Sequence, residues 1–326
     1  MSVVVTGGAG YIGAHLVRLL AQAGRDVLVV DDLSTGAAQR VGDVPLLRLD
    51  LADSANVPAL VAALREHQVD DVFHFAARKC VPESVRRPTW YAHQNVGGLA
   101  NLLDAMHQAQ VTKIVFSSSA AVYGCPRSAQ VPETEPTEPV SPYGWTKLAG
   151  EWLVRDAATA WGLRGVGLRY FNVAGSGWPD LGDLQVANLV TMVLDRLSRG
   201  EPPQVFGGDY PTPDGTCVRD FVHVMDLVQA HVAALAALET NPWSVFNVGT
   251  GTGASVLEVV RGLQQVTGAS QDVDWTGRRP GDPATVVADP TLIDQSLGWR
   301  AEHTLDDILA DAWDAWQHTR THEPAS

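Results

Sequence analysis

Thr6-Gly7-Gly8-Ala9-Gly10-Tyr11-Ile12-Gly13 follows the apolar run 3–5 and leads into helical spacing over 12–23, with Gly24 as a stop signal. It contains G-x-G-x-x-G between a strand and a helix. Glycines serve three purposes there: a tight turn, close approach of the backbone to a pyrophosphate, and close packing of helix on strand. The helix start then turns free N–H groups and the positive end of its dipole toward phosphate. Gly7, Gly10, Tyr11, Ile12 and Gly13 are therefore candidate phosphate-binding residues. A glycine turn alone is common and compatible with binding nothing. Asp31 sharpens the reading. It stands about 20 residues on, at the end of a second strand, where a carboxylate accepts from adenosine ribose hydroxyls and repels a 2′-phosphate. Asp32 adds negative charge and no arginine follows directly, so NAD is favoured over NADP. Asp50, after a third strand over 46–49, fits either the adenine edge or a plain helix cap.

Outward from this turn the chain alternates. Strand is expected over 26–30, helix over 57–67, strand over 72–76 and a long amphipathic helix over 90–108. Strand over 113–117, helix over 145–162 and strand over 165–169 follow. Right-handed β–α–β units of this kind build an α/β fold, a Rossmann-type doubly wound parallel sheet, here over residues 1–171. After Asn172 the rhythm breaks. Residues 175–183 and 201–215 are loops rich in glycine and proline, and short strands (205–206, 245–248) alternate with helices such as 226–238. Residues 172–326 read as a smaller, mixed α/β substrate-binding region, with crossings back to the sheet around 216–250. Leu305, Ile308, Leu309, Ala312, Trp313 and Trp316 repeat at helical spacing and close the chain with an amphipathic helix. The end, Pro324-Ala325-Ser326, is expected to fray.

Tyr143-Gly144-Trp145-Thr146-Lys147 puts a tyrosine and a lysine on one face of a helix start. A free phenol, with a pKa near ~10, is a poor base at neutral pH. A neighbouring ammonium, with a positive nicotinamide ring, favours the phenolate and lowers that pKa. Alone, this pair is a weak signal. Behind a dinucleotide turn and a strand ending in Ser117-Ser118-Ser119 it is a strong one, because Ser119 can donate to a substrate oxygen and share its proton with Tyr143. The serines also fit a merely polar strand end. Tyr143, Lys147 and Ser119 are the candidate catalytic residues.

Residues 6–13, His74-Phe75-Ala76, residues 116–124, 141–147 and 169–172, the run 206–224 and Arg278-Arg279-Pro280-Gly281-Asp282 carry a resemblance that extends nearly end to end. The chain resembles the extended short-chain dehydrogenase/reductase superfamily, and within it is similar to the UDP-glucose 4-epimerase (UDP-galactose 4-epimerase) family. The resemblance implies that Asp50, Leu51, Phe75, Ala76, Ala77, Lys79, Asn95, Ser117 and Tyr170 join Asp31, Tyr143 and Lys147 along an NAD cofactor. It implies a UDP-sugar substrate, with Phe171 and Asn172 beside sugar and phosphates, Asn188 and Leu189 near the nucleotide, and Phe206 at the uracil. Arg219 and Arg279 would grip the diphosphate, Asp282 the uridine ribose, and Val286 would stand beside the sugar C2 group, where several relatives have a tyrosine. A diphosphate needs cationic donors, which agrees with the two arginines, although either also fits a surface ion pair. The chain departs from the family pattern in shorter loops after Asp32 and over 175–183. A homodimer is implied through 90–108 and the helix after Lys147, whose apolar faces could equally be buried within one subunit.

Composition narrows the remaining choices. The 326 residues, 45% hydrophobic and 18% charged, are those of an ordinary globular protein. A net charge of −14 repels phosphate backbones and argues against nucleic acid as a partner. No apolar run approaches the roughly 18 residues of a membrane span. An apolar strand from residue 3 leaves no room for a leader, and Cys80, Cys125 and Cys217 lack metal-ligand spacing, so no metal and a reducing, cytoplasmic setting are expected. Packing is the expected role of Cys125. Sugar-nucleotide dehydratases and decarboxylases resemble this chain but carry acidic residues after the catalytic serine or threonine, where Ala120 and Ala121 stand here. An NAD-binding regulator would need no base at all. The expected activity is therefore interconversion of UDP-glucose and UDP-galactose through transient oxidation at C4, with the N-acetylhexosamine or pentose pairs as variants.

Overall fold

The valines of the first strand alternate between two cores, as a central parallel strand covered on both faces requires. Val3 and Val5 pack with Leu16, Val29, Leu227 and Val228, while Val4 packs with Leu28, Leu60, Leu102 and Ile114. The computed structural model describes residues 2–322 apart from Leu184, Thr240 and Pro280. The proposed fraying of Pro324-Ala325-Ser326 and the Pro280 of the 278–282 run lie outside the described residues.

The first half runs β1 (Ser2–Thr6), α1 (Tyr11–Gln22), β2 (Asp26–Asp31), β3 (Leu46–Arg48), α2 (Val57–Glu66), β4 (Val69–His74), α3 (Val81–Arg86), α4 (Pro88–Tyr91), α5 (Gly98–Ala109), β5 (Lys113–Ser119), α6 (Pro142–Trp161) and β6 (Arg164–Tyr170). The second half runs β7 (Asn172–Ala174), α7 (Leu189–Ser198), β8 (Gln204–Phe206), β9 (Val218–His223), α8 (Val224–Ala237), β10 (Trp243–Val248), β11 (Gly253–Ser255), α9 (Val256–Thr267), β12 (Asp274–Thr276), β13 (Thr285–Val286), α10 (Thr291–Leu297) and α11 (Leu305–His322).

Seven parallel strands form the main sheet in the order β10-β6-β5-β4-β1-β2-β3. Strand order reverses at β1, so the crevice outside the carboxyl ends of β1 and β4 is the natural ligand site of such a sheet. β10 comes from far down the chain and pairs with β6, and α8 packs on α1. A smaller sheet joins β7, β9, β11 and β13, with Val286 in register with Arg219. Its neighbouring core gathers Ile308, Leu309, Trp313 and Trp316 of α11 with Val193, Leu194, Val259 and Val260.

Three local expectations need correction. The helix over 90–108 begins at Pro88 and is interrupted by a π turn at Ala92–Gly97, which carries Asn95. β4 ends at His74, so Phe75 and Ala76 belong to the loop that shapes the crevice. α9 was not expected, yet Ser255 and Glu258 form its reciprocal cap, a signal readable as S-x-x-E.

Candidate active site

The crevice begins at the glycine turn. Gly7 has φ +71°, and a Cβ there would lie 2.6 Å from the Ala76 amide nitrogen. A Cβ on Gly13 would lie 2.2 Å from the Gly7 carbonyl oxygen, which fixes how closely α1 sits on the turn. Gly10 is different: the nearest atom is 3.2 Å away and the rest of its surroundings are open. Gly10 also caps α1 without a side chain, so no side chain occupies the N–H groups at the helix start. That is the arrangement an anionic diphosphate fits.

Asp31 is buried at the end of β2, where its carboxylate accepts from the Ala9 amide at 3.0 Å and the Leu33 amide at 2.8 Å. Burial raises its pKa, and the two amides oppose the rise. It lines the crevice and ties the turn after β1 to the turn after β2. Asp50 lines the crevice, and its Oδ1 accepts from Ala52 N at 2.8 Å within a turn; the helical turn that follows is capped by Asp53, which corrects the capping reading of Asp50. Leu51, Phe75, Ala76, Ala77, Lys79, Ser117, Tyr143, Lys147 and Tyr170 share the same lining. Asn95 does not. Its amide accepts from Arg78 N at 2.7 Å and donates to Arg78 O and Thr146 Oγ1, both at 3.0 Å.

The catalytic trio meets because α6 starts against the end of β5. Ser141 caps α6, accepting from Gly144 N at 3.1 Å, and a Cβ on Gly144 would lie 2.5 Å from the Ala121 carbonyl oxygen. The Ser119 side chain stands by the Tyr143 hydroxyl, where it favours the phenolate, and its Oγ accepts from Ala121 N at 3.2 Å. Lys147 Nζ donates to the Ser117 carbonyl at 2.7 Å, and Ser117 Oγ pairs with the Tyr170 hydroxyl. One turn on, Glu151 Oε1 accepts from Ser118 Oγ at 2.5 Å and the Glu151 carboxylate pairs with Arg169 at 2.6 Å. All three serines at the strand end are thus held by α6 or β6.

The electrostatics divide the expected activation of the phenol unequally between the Lys147 ammonium and the nicotinamide ring. Burial pushes Lys147 down to about 7 and pushes Tyr143 up, with only the Ser119 hydrogen bond acting the other way. The protein by itself therefore keeps this tyrosine protonated at neutral pH. Activation requires the positive charge that a bound oxidised nicotinamide would bring.

Residues expected at the substrate are less tightly gathered. Phe171 is buried with Val122, Tyr123 and Leu148, and Val286 and Ala120 pack against that cluster. Arg219 reaches Asp282 at 3.5 Å, and the Arg279 guanidinium stacks 3.9 Å over the Phe206 ring. Asn172 is exposed. Asn188 caps α7 and donates to Asp183, whose carboxylate lies 3.6 Å from Lys79; Leu189 follows as the first residue of α7. Cys125 is exposed rather than packed, which corrects its expected role.

The family model described as the NAD dependent epimerase/dehydratase family matches residues 3–249. The chain belongs to that family. Among relatives of this epimerase/dehydratase chain, the UDP-glucose 4-epimerase of Azospirillum brasilense is 44% identical over 97% of this chain and 92% of its own. The structure of a UDP-glucose-4-epimerase from Stenotrophomonas maltophila, with bound NAD and formylated UDP-arabinopyranose, superimposes with a TM-score of 0.92 at 40% identity, covering 98% of this chain and 99% of that one. The UDP-Glc/GlcNAc 4-epimerase of Campylobacter jejuni gives 0.85 at 35% identity, covering 97% and 99%.

Sequence reasoning missed two features of this family member's site. Arg78, in the loop after β4, lines the crevice and pairs with Asp32 at 2.7 Å. Arg40 lines it too and holds the Leu181 and Gly182 carbonyls at 2.7 and 3.0 Å. Neither residue belongs to a periodic pattern, so no local signal marks it. Among the described residues, no helix is long and apolar enough to cross a membrane.

Proposed function

We propose that the protein interconverts UDP-glucose and UDP-galactose by transient oxidation at C4 of the sugar. The observation that carries this reading is that Tyr143 and Lys147 stand on the wall of the glycine-turn crevice, with the Ser119 side chain beside Tyr143. NAD, held by the glycine turn, Asp31 and Lys147, supplies a hydride acceptor and donor for C4 when bound. Tyr143 takes the proton of the 4-hydroxyl and later returns it, while Ser119 donates to the same oxygen and holds the phenol in line. Lys147 positions the ribose side of the cofactor. Ala120 and Ala121 supply no acid or base for an elimination, so the keto sugar has no outlet other than return. The UDP half, gripped by Arg219, Arg279 and Asp282, supplies binding energy, and a weakly held sugar is free to turn. Incubation of purified protein with UDP-galactose should yield UDP-glucose until equilibrium; no conversion would refute the proposal.

Val286 bears on substrate breadth. It packs against the cluster of Val122, Tyr123 and Phe171, as Ala120 does, and is in register with Arg219. A tyrosine there would fill space beside the sugar C2 group, whereas valine leaves room for an N-acetyl group. Steric exclusion is a strong filter, and spare room costs little. Wild type should therefore epimerise UDP-N-acetylglucosamine as well, and Val286→Tyr should lose that activity while keeping UDP-glucose turnover. Assaying both proteins on both sugars tests it, and wild type inert on the N-acetyl sugar contradicts it.

The partner reading is a homodimer. α6 exposes Trp145 and Trp152, two helical turns apart, and α3, which packs on α6, exposes Val81 and Val85. Large apolar side chains grouped in this way mark an interface. Trp152→Glu should shift the mass measured by light scattering from dimer to monomer; an unchanged mass would put the interface elsewhere. Cys80, Cys125 and Cys217 are unpaired, which suits a reducing, cytoplasmic setting.

A further inference from the structure

β1, which carries the glycine turn, lies between β4 and β2 in the sheet. A side chain that joins the loop after β4 to the loop after β2 therefore spans the mouth of the dinucleotide crevice. Arg78 makes that link. Its guanidinium donates to Asp32 Oδ2 at 2.7 Å, to Ser34 Oγ, and through Nε to Gln94 Oε1 at 3.0 Å. The same group lies 5.3 Å from the centre of the Trp90 ring. The backbone of Arg78 is pinned from behind by Asn95, which bonds both its N–H and its carbonyl. All four polar residues of the bridge line the crevice.

We propose that Arg78 is a clasp that retains the dinucleotide in its crevice between and during turnovers. None of the proton-transfer steps uses this bridge, so its contribution falls on cofactor release. The reaction class explains the need for it. An epimerase that lost its reduced cofactor mid-cycle would strand a keto sugar, so slow release is part of the chemistry. Arginine suits this place because its planar fork reaches Asp32, Ser34 and Gln94 at once, which a lysine ammonium cannot reproduce. Burial works against the charge on Asp32, but the Ser34 hydroxyl and amide and the Arg78 guanidinium keep its carboxyl below the ordinary range, so the pair is ionised at neutral pH.

The test reads the cofactor, independently of turnover. Protein loaded with radiolabelled NAD is chased with unlabelled NAD, and label retained on the protein is followed with time. Arg78→Met keeps the stem and removes the fork, Arg78→Lys keeps only the charge, and Asp32→Asn removes the charge at the far end. Release should quicken by roughly tenfold or more in Arg78→Met, the scale of one lost charge-assisted contact, with Arg78→Lys in between. Asp32→Asn should move the same way, with thermal melting showing both variants folded. Release from Arg78→Met and Asp32→Asn at the wild-type rate overturns the clasp. A wild type that sheds NAD immediately also overturns it, and calorimetric titration with NAD then tells whether the dinucleotide site itself survives.

Discussion

Tyr143→Phe should lower turnover by at least about 10²–10⁴, the range assigned to general acid–base catalysis, while UDP-sugar affinity is largely kept. The substitution leaves the ring in its buried position and removes only the oxygen that Ser119 contacts. Lys147 is not placed to replace it, because its Nζ donates to the Ser117 carbonyl at 2.7 Å and lies 6.0 Å from the centre of the Tyr143 ring. Ser119 is a donor without a base behind it. The sugar is held mainly through its nucleotide, so calorimetry with UDP should change little. Near-normal turnover in Tyr143→Phe would remove the tyrosine from the proton path.

Gly13→Ala should abolish retention of dinucleotide and destabilise the fold by about 1–3 kcal/mol or more, the range of strained backbone substitutions. Its Cβ would lie 2.2 Å from the Gly7 carbonyl oxygen and 2.8 Å from Gly8 Cα. Both are backbone atoms of the turn itself, so relief requires α1 to lift away from the turn. The phosphate-facing N–H groups move with it. Gly10→Ala is the informative contrast: its Cβ meets only one atom, at 3.2 Å, and otherwise projects into open space. That variant should keep its melting temperature and lose affinity for NAD. Equal melting temperatures for Gly13→Ala and wild type would show that the contact is not as tight as the geometry requires.

What was legible in the sequence is what is local. The glycine turn, Asp31 and the Tyr143–Lys147 spacing are short-range features whose chemistry fixes their geometry, and alternation of strands and helices carries the parallel sheet with it. Features that arise only when distant loops meet were not legible. Arg78 meets Asp32 across the crevice from a separate loop, and Arg169 of β6 meets Glu151 of α6 beneath the serines. Asn95 lies within a π turn, and its amide bonds Arg78 and Thr146, partners that only the fold brings together. The state of Lys147 could not be read from spacing either, since its cause is burial. Glu151 was within reach, standing two turns beyond Tyr143 on the same helical face.

The central claim is that C4 of the sugar is oxidised and reduced again within one complex. UDP-galactose carrying deuterium at C4 tests it most directly, with the product analysed by mass spectrometry and NMR after conversion in ordinary water. Return of the same hydrogen to the opposite face predicts UDP-glucose with the deuterium still at C4. Loss of that label to water would contradict the mechanism, because it would mean that the C4 hydrogen leaves as a proton.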